Sequence, residues 1–230
     1  MTASLRGVRI VVSAGPTYED IDPVRFVGNR SSGKMGFAIA AAAARREADV
    51  VLVAGPVHLP TPGDLRRVDV RSAAQMRAAV LEALPADVYI GAAAVADYTP
   101  RQVSERKLKK TEGNDVLVLE LVRTADILAE VAAHAPRPRV VVGFAAETHD
   151  VGRYARDKLA RKRLDMIAAN QVGIAGSGFE GDDNTLAVFD GEREHALGPA
   201  PKTRLADALL DLVASRLQAS PRVHANEPHA

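Results

Sequence analysis

The sequence contains no cysteine among its 230 residues. This absence excludes disulfide bonds, thiolate zinc sites and a thiol nucleophile of the protein itself. If sulfur takes part in the chemistry at this protein, a substrate must bring it. The 6 histidines are scattered, without an H-x-x-x-H or H-E-x-x-H pair, which argues against a structural transition-metal site.

Long apolar runs and a large excess of one charge are also absent. No stretch of about 18 apolar residues occurs, and the amino terminus MTASLRGVRIVVSAG lacks the order of charge, apolar run and cleavage site of a signal peptide. We therefore expect a cytoplasmic protein that does not enter a membrane. The 30 Lys and Arg residues balance the 29 Asp and Glu residues, and a net charge of +1 does not suit a protein that coats nucleic acid.

Short β-branched runs alternate with helical patterns along most of the chain, and 47% of the residues are hydrophobic. This alternation is typical of a parallel sheet flanked by helices. We predict one α/β domain over 1–218, doubly wound, with a mostly parallel Rossmann-like sheet and helices on both faces, and a disordered tail over 219–230. The predicted strands span 9–15, 49–55, 66–70, 87–94, 139–147, 165–170 and 185–190. The predicted helices span 33–47, 73–84, 125–135, 151–163 and 202–217.

The pattern changes in the middle of the chain. Residues 97–110 are polar and basic, and DVLVLELV over 115–122 alternates as a two-faced strand does. We predict a β-hairpin arm that projects from the sheet, with Gly113 at its turn. Because such an arm cannot bury both of its faces by itself, we expect either a flap over the site or a contact between two subunits of a homodimer.

The stretch FVGNRSSGKMGFAIA, residues 26–40, is a polar loop that runs into an alanine-rich helix. Gly33 allows the backbone to approach a ligand closely, and Ser31 or Ser32 can cap the first free amides of the helix. The amino terminus of a helix attracts anions, and Lys34 adds a positive charge there. We therefore predict a loop that contacts substrate or phosphate, although these residues alone are also typical of a plain helix cap. The spacing matches neither a Walker loop nor the G-x-G-x-x-G fingerprint.

Several predicted strands end in small or polar residues, in SAGPTYED, GAAAVADY, GFAAET and AANQVG. The carboxyl ends of parallel strands border the ligand crevice of an open sheet, so these segments should converge with the loop, and Gly15 belongs to the first of them. Asn29 places a carboxamide beside the expected anion. Asp97 could hold a hydroxyl, a base or hydrated Mg²⁺, or it could cap a turn. Phe144 could pack in the core or stack on a base.

Lysines cluster where such a crevice would need them. Lys107, Lys109 and Lys110 lie on the predicted arm, and Lys158 and Lys162 lie four residues apart on one helix face. Each lysine alone is also typical of a solvated surface. Together with a helix amino terminus they suit a polyphosphate, to which lysines contribute point charges.

Five segments together resemble one family. In order and spacing, AGPTYEDIDPVRFVGNRSSGKMGFAIA, AAAVADY, KLKK, VVGFAAET and GFEGDDNT resemble phosphopantothenoylcysteine synthetase, also called phosphopantothenate–cysteine ligase. This enzyme is the synthetase half of the bifunctional coenzyme A biosynthesis protein. The resemblance covers roughly residues 5–218.

The resemblance implies an enzyme that joins the carboxylate of 4′-phosphopantothenate to the amino group of cysteine, with CTP and Mg²⁺ in the bacterial members. It implies that Asn29 holds the activated acyl intermediate, an acyl-cytidylate. The residues that the resemblance assigns to the nucleotide are Gly91, Ala92, Ala93, Asp97, Lys107, Ala125, Asp126, Ile127, Leu128, Phe144, Lys158 and Lys162.

The sequence departs from the family in two places. Many relatives carry Asn-Pro where this chain has Thr124-Ala125, which changes the segment that would approach the base. Bacterial relatives usually carry an amino-terminal flavin-dependent decarboxylase, whereas the synthetase motifs here start within the first fifteen residues. We therefore expect a stand-alone synthetase or a domain excised from a longer protein, with a separate or fused decarboxylase as partner.

Two other functions fit the same architecture. A nicotinamide-dependent oxidoreductase would need G-x-G-x-x-G after the first strand and an acidic residue at the end of the second, and SAGPTYED and LVAGP supply neither. A nucleotide-binding regulator would use the crevice but would leave Asn29 without a purpose. The residues by themselves do not distinguish CTP from ATP, and they do not identify the groups that bind cysteine or a metal.

Overall fold

The computed structural model of the protein describes residues 3–109, 116–147, 149–171, 181–191 and 193–219. The strands in this part of the chain are β1 (Arg9–Ala14), β2 (Tyr18–Asp20), β3 (Phe26–Gly28), β4 (Asp49–Ala54), β5 (Arg66–Asp69), β6 (Val88–Gly91), β7 (Tyr98–Pro100), β8 (Leu121–Arg123), β9 (Val140–Glu147), β10 (Met166–Gln171), β11 (Asp183–Asp190) and β12 (Arg193–Pro201). The helices are α1 (Lys34–Arg45), α2 (Ala73–Glu82), α3 (Ile127–Ala132), α4 (Val151–Arg161) and α5 (Lys202–Ala219).

Eight strands form the central sheet, in the order β12-β11-β10-β9-β6-β1-β4-β5. Neighbouring strands from β10 to β5 are parallel, whereas β11 and β12 pair antiparallel. The inner strands are buried on both faces, since Ile10, Val11 and Val12 of β1 have no exposed surface. Strands buried in this way appear in a sequence as continuous apolar runs. The predicted mostly parallel α/β sheet is confirmed.

Helices cover both faces of this sheet. Ile10 and Val12 belong to a core cluster with buried residues of α1 and α5, whereas Val11 belongs to a second cluster with residues of α2, α3 and α4. Alternate side chains of β1 therefore point to different helical layers. This arrangement confirms the doubly wound fold and leaves α1 and α5 on one side of the sheet, with the other three helices opposite.

Helix α1 begins differently from the prediction that Ser31 or Ser32 caps it. Its N-cap residue is Gly33, with a φ of 74° and no side-chain cap. The Gly33 N–H instead donates to Ser31 Oγ, at 3.3 Å, before the helix starts. The helix also packs closely on β1, because a Cβ on Gly36 would lie 2.5 Å from the Cβ of Ala14. A glycine cap leaves the N–H groups of the first turn to other partners.

The predicted arm is shorter than expected where the structure describes it. Strand β8 pairs antiparallel with β7, so a two-stranded ribbon exists. Residues 116–120, which the alternation assigned to a strand, have no regular structure. They find no second strand within the described part of the chain, and an unpaired strand with exposed apolar side chains gains little from its alternation. Gly113 and Lys110 lie outside the described residues.

Two further elements are absent from the prediction. Strands β2 and β3 form a small antiparallel hairpin, and Asp22 holds its turn by accepting hydrogen bonds from the Val24 and Arg25 N–H groups at 2.8 and 2.9 Å. Burial disfavours the charge on Asp22, but the Arg25 guanidinium and the backbone donors outweigh this cost and lower the pKa of the carboxyl. The second element that the sequence did not predict is strand β12, which forms one edge of the central sheet.

The remaining differences concern element ends. Helix α3 begins at Ile127 rather than at 125, because Asp126 is its N-cap and accepts the Ala129 N–H at 3.1 Å. Helix α5 includes Ala219, the first residue of the predicted tail, while 220–230 and most of the loop 173–183 lie outside the described residues. Over the described ranges, no helix combines the length and apolar character needed to span a membrane.

Candidate active site

A cavity of about 880 Å³ opens where β1, β6, β9 and β10 end, between α1 and α5 on one side and α3 and α4 on the other. Cavities of this size commonly hold small-molecule ligands. The predicted site residues that line it are Asn29, Ser31, Ser32, Gly33, Lys34, Gly91, Ala92, Ala93, Asp97, Ala125, Asp126, Ile127, Leu128, Phe144, Lys158 and Lys162. The fold therefore brings together residues from distant segments of the chain.

Two predicted site residues, Gly15 and Lys107, do not line the cavity. Gly15 lies behind the loop, since a Cβ on Gly33 would come within 3.4 Å of the Gly15 Cα. The residue after Lys107, Leu108, donates its N–H to Asp22 at 3.1 Å and accepts from Arg25 Nη2 at 2.7 Å. The basic segment is thus held on the β2–β3 turn rather than against the cavity of its own chain.

Asn29 is held by the segment that follows β6. Its Nδ2 donates to the carbonyl oxygens of Ala94, at 3.3 Å, and Val95, at 2.9 Å. Carbonyl oxygens only accept, so these bonds fix the nitrogen on that side. The Asn29 oxygen is the group left for a ligand, so the carboxamide can accept a hydrogen bond there, whereas the sequence predicted that it could both donate and accept.

Lys158 of α4 and Lys162, the residue that follows this helix, have partners inside the protein. Lys158 Nζ donates to the Phe144 carbonyl at 2.8 Å, and Lys162 forms an ion pair with Asp126 at 2.6 Å. Burial disfavours the charge on Asp126, but the bonds from Lys162 and the Ala129 N–H outweigh it and lower the pKa of this carboxyl. Asp126 therefore compensates the charge of Lys162, whereas the Phe144 carbonyl that Lys158 contacts carries no formal charge.

Thr124 anchors the segment in which the chain departs from its relatives. Its hydroxyl donates to the Ala96 carbonyl at 2.7 Å, and its N–H donates to the Asp97 carbonyl at 3.0 Å. These two bonds tie the start of α3 to the segment after β6. Ala125 therefore reaches the cavity wall without the proline that many relatives carry.

The floor of the cavity contains a buried pair of hydroxyl groups. Ser13 Oγ and the Tyr89 hydroxyl lie 3.0 Å apart, and burial raises the pKa of Tyr89 to about 12. Tyr89 is therefore neutral at physiological pH and serves as support. Phe144 packs against the core cluster that contains α1 and α5, and it also lines the cavity. Its position is therefore compatible with packing in the core and with stacking on a base.

The opposite end of the cavity carries two lysines beside α1 and α5. Lys34 Nζ lies 2.7 Å from Asp182 Oδ1. Lys202 donates its N–H to the Asp182 carbonyl at 2.9 Å and its amine to the Gly181 carbonyl. Burial and the nearby Lys34 lower the pKa of the Lys202 amine. The amines of Lys34 and Lys202 therefore lie at this end together with the Asp182 carboxylate.

Sequence reasoning missed several polar residues of the cavity, namely Arg30, Arg123, Arg161, Asn170, Asn184 and Lys202. A signal exists for two of them. Asn170 and Asn184 interrupt the buried face of their strands, where alternate positions such as Ala168 and Leu186 are apolar. Lys202 has no such signal, because its burial depends on how α5 docks.

Among the described residues, no three His, Asp or Glu side chains lie together as a group that could hold a metal ion. Asp97 lines the cavity as a carboxylate with no ion pair to a described residue. One carboxylate suits Mg²⁺ when substrate phosphates supply the other ligands.

Comparisons with known proteins show which proteins this chain is similar to. Over 210 residues the chain is 53% identical to the coenzyme A biosynthesis bifunctional protein CoaBC of Vibrio cholerae, covering 91% of this chain and 53% of that protein. The chain thus spans about half the length of the curated relatives it matches. The crystal structure of the C-terminal domain of a CoaBC protein is similar with a TM-score of 0.79 and 38% identity, over 93% of this chain and 97% of that one.

A more distant structure shares the fold. It is a Cab2 variant in complex with phosphopantothenate-cysteine, with a TM-score of 0.73 and 13% identity over 93% of this chain and 87% of that one. The model of the DNA/pantothenate metabolism flavoprotein C-terminal domain matches residues 5–217. The resemblance drawn from the five motifs is thereby confirmed, and the chain belongs to the family of DNA/pantothenate metabolism flavoprotein C-terminal domains.

Proposed function

We propose that this chain is a CTP-dependent ligase that joins 4′-phosphopantothenate to L-cysteine through an acyl-cytidylate. The observation that carries the proposal is the convergence of Asn29, the loop before α1 and the implied nucleotide residues other than Lys107 on one cavity. Its relatives are named for coenzyme A biosynthesis, and a protein of the same fold binds phosphopantothenate-cysteine. Both facts support a role in that pathway, together with a separate or fused flavin-dependent decarboxylase.

The proposed chemistry needs no nucleophile from the protein, which agrees with the lack of cysteine. A carboxylate is a poor electrophile, so its oxygen attacks the α-phosphorus of CTP and pyrophosphate leaves. The cysteine amine then attacks the acyl carbon, CMP leaves, and the amine loses a proton. Two easier steps replace one difficult step. The work of the protein is therefore to position the reactants and to compensate charge.

Each end of the cavity suits one part of the reactants. The backbone around Ala92 and Ala125 and the ring of Phe144 would contact the base, beside the compensated Lys162. The start of α1 with Lys34 would contact phosphate. Between them, the Asn29 oxygen can accept a hydrogen bond from the substrate chain, which orients the acyl group for attack.

Mg²⁺ fits this arrangement as an ion held mainly by the nucleotide. Asp97 would hold it together with the phosphates. The ion would supply positive charge as pyrophosphate leaves. The lysines of the chain would share that task, and Asn29 would act independently of the metal.

A coupled assay of pyrophosphate release tests the proposal. We expect release with CTP only when phosphopantothenate is present, and amide formation only when cysteine is added. A regulator without chemistry would bind CTP but release no pyrophosphate. We also expect CTP to be preferred, because backbone groups near Ala92 and Ala125 line the cavity and would contact the base edge. Comparable kcat/KM values for ATP and CTP would overturn the nucleotide preference and leave the ligase reaction standing.

We also propose that the active protein is a homodimer formed through the arm and the β2–β3 turn. In the described part of the chain, every large apolar side chain that is exposed lies at or beside the β2–β3 turn or in the arm between residues 98 and 121. Such a concentration is typical of an interaction surface. These residues, between 40% and 83% exposed, are Val24, Phe26, Tyr98, Val103, Val116, Leu117, Val118 and Leu121.

A further inference from the structure

Thr17 lies between β1 and β2 and has no exposed surface. It does not line the cavity, and the proposed chemistry does not use it. Its hydroxyl nevertheless has a polar partner, because Thr17 Oγ1 accepts a hydrogen bond from the Ala96 N–H at 2.9 Å. A buried backbone N–H without an acceptor destabilises the folded protein. Thr17 therefore stabilises the segment that follows β6.

The same hydrogen bond also connects Thr17 to Asn29. The Ala96 N–H and the Val95 carbonyl belong to one peptide group, which is planar, so that its N–H and C=O can only turn together. Val95 O accepts from Asn29 Nδ2 at 2.9 Å, while Thr17 Oγ1 binds the N–H of the same plane. The orientation that the Thr17 hydroxyl gives to this plane is therefore the orientation that the Asn29 carboxamide meets.

Thr17 also contacts the second acceptor of Asn29. Its N–H donates to the Ala94 carbonyl at 3.3 Å, and the same oxygen accepts from Asn29 Nδ2 at 3.3 Å. Thr17 thus binds both peptide groups that hold the carboxamide, one through its backbone and one through its side chain. Only the side-chain bond depends on the type of residue, so a substitution can remove it selectively.

Pairing between main chains does not fix this segment by itself. Beyond the end of β6, the chain pairs with the end of β1 only through an isolated parallel bridge between Pro16 and Ala94. Two residues later, the Ala96 N–H has a side-chain acceptor, Thr17, in place of a backbone one. Asn29 therefore binds where the regular sheet has stopped and a hydroxyl group has replaced it.

We propose that Thr17 is a positioning residue: by holding the Val95–Ala96 peptide group, its hydroxyl keeps the Asn29 oxygen turned toward the substrate chain. This inference rests on the proposed function, in which Asn29 orients the acyl group. Hydrogen bonds in a chain polarise one another, so the bond from Ala96 to Thr17 also makes the Val95 carbonyl a stronger acceptor. Without the hydroxyl, the peptide plane could rotate toward another acceptor, and the carboxamide would lose its fixed orientation.

The test compares two variants of Thr17 in assays of pyrophosphate release and amide formation. Thr17→Val replaces the hydroxyl with a methyl group at nearly the same volume, whereas Thr17→Ser keeps the hydroxyl. We expect Thr17→Val to lower kcat for amide formation by about 10- to 100-fold, the effect of a small misplacement at a reacting group, and to leave the KM for CTP unchanged. Thr17→Ser should restore most of the rate. Equal losses in the two variants would overturn the proposal, because the methyl group and not the hydroxyl would then matter.

A double-mutant cycle with Asn29→Ala distinguishes positioning from support of the fold. If Thr17 acts through Asn29, Thr17→Val should change amide formation by less than about twofold once residue 29 is alanine. Additive effects would overturn the proposal. Val80→Ala is the control for stability, because it removes buried volume from α2 at a position outside the cavity. It should lower Tm without changing the ratio of amide formation to pyrophosphate release.

Nuclear magnetic resonance gives a readout that does not depend on turnover. The side-chain amide signals of Asn29, assigned by their absence in Asn29→Ala, should shift in Thr17→Val and stay close to their wild-type positions in Thr17→Ser. If Thr17→Val does not fold, Thr17→Cys keeps a weak acceptor and should give a smaller shift. Unchanged Asn29 signals would overturn the proposal. A shift in a protein that forms no acyl-cytidylate would instead sustain the positioning contact and refute the proposed reaction.

Discussion

At the scale of single residues, Asn29 commits its amide nitrogen to the carbonyl oxygens of Ala94 and Val95. Asn29→Asp is nearly isosteric but replaces that nitrogen with an anionic oxygen. The two carbonyls would repel the carboxylate, which would turn its charge toward the acyl group. Charge that develops on the acyl oxygen during amine attack would then be destabilised. We expect amide formation to fall more than pyrophosphate release does, because the added charge faces the acyl oxygen in the step in which charge develops on it.

Quenched reactions analysed by mass spectrometry would check this expectation. The variant should accumulate acyl-cytidylate, because the substitution slows the second step, which consumes this intermediate, more than the first step, which forms it. Ser13→Ala is a useful companion, since it removes a hydroxyl from the cavity floor without touching the Ala94 and Val95 carbonyls. Equal losses in both half-reactions, or normal turnover, would show that Asn29 does not have this role.

Local sequence signals explain which site residues could be predicted. Asn29 and Lys34 stand in a loop before a helix, and that setting is visible in the chain itself. Asn184 and Lys202 are distant from it in sequence and join it only because β11 and α5 dock beside α1. Likewise, the engagement of Lys162 by Asp126 depends on tertiary contacts. Residue type can therefore suggest a lysine for phosphate, but only its partners decide whether its charge is available.

At the scale of elements, the position of α1 depends on a glycine. A Cβ on Gly36 would lie 2.5 Å from the Ala14 Cβ and 3.2 Å from its Cα. Gly36→Ala would raise helix propensity by about 0.8–1 kcal/mol, yet overpacking costs about 1–3 kcal/mol. We expect a net loss of about 1 kcal/mol in the free energy of unfolding by urea, and weaker CTP binding because the start of α1 moves away from the cavity.

The control for this prediction lies on the same helix. Ala41→Val adds volume at a half-buried position of α1 and should cost only the few tenths of a kcal/mol that separate valine from alanine in helix propensity, up to about 0.7. A Gly36→Ala protein that is more stable than the wild type and binds CTP normally would mean that the contact with β1 does not position the helix.

The elements themselves differ in how well the sequence predicts them. Parallel strands such as β1 and β4 are buried on both faces, and their apolar runs are distinct. Strands β2, β3, β7 and β8 have three residues each, too few for a period to appear. Strand β12 contains Gly198 and Pro199 and lies mostly exposed at the sheet edge, so its sequence resembles a loop. For residues 116–120 the error is the reverse: the alternating pattern predicts a strand that the structure lacks, because a pattern alone supplies no partner strand.

At the scale of the whole molecule, the exposed apolar surface of the arm and the β2–β3 turn predicts a homodimer. Pro100 and Leu121 are paired across the ribbon, so an Asn-Gly turn can replace residues 101–120 and close it. We expect this variant to sediment as a monomer at micromolar concentration, where the wild type is a dimer, and to lose ligase activity because Lys107 and its segment are gone.

Point substitutions can distinguish an effect on dimer formation from an effect on the stability of the fold. Val118 is 83% exposed, so Val118→Glu should leave the Tm of a monomer unchanged. In a dimer that buries this side chain, the new charge would lose its hydration, and we expect the dimer Kd to rise by at least about tenfold. Arg204→Glu makes a larger charge change on α5, away from the arm, and should leave the Kd unchanged. A wild-type protein that sediments as a monomer at micromolar concentration would refute the dimer. A dimer that tolerates both the arm replacement and Val118→Glu would mean that another surface forms the interface.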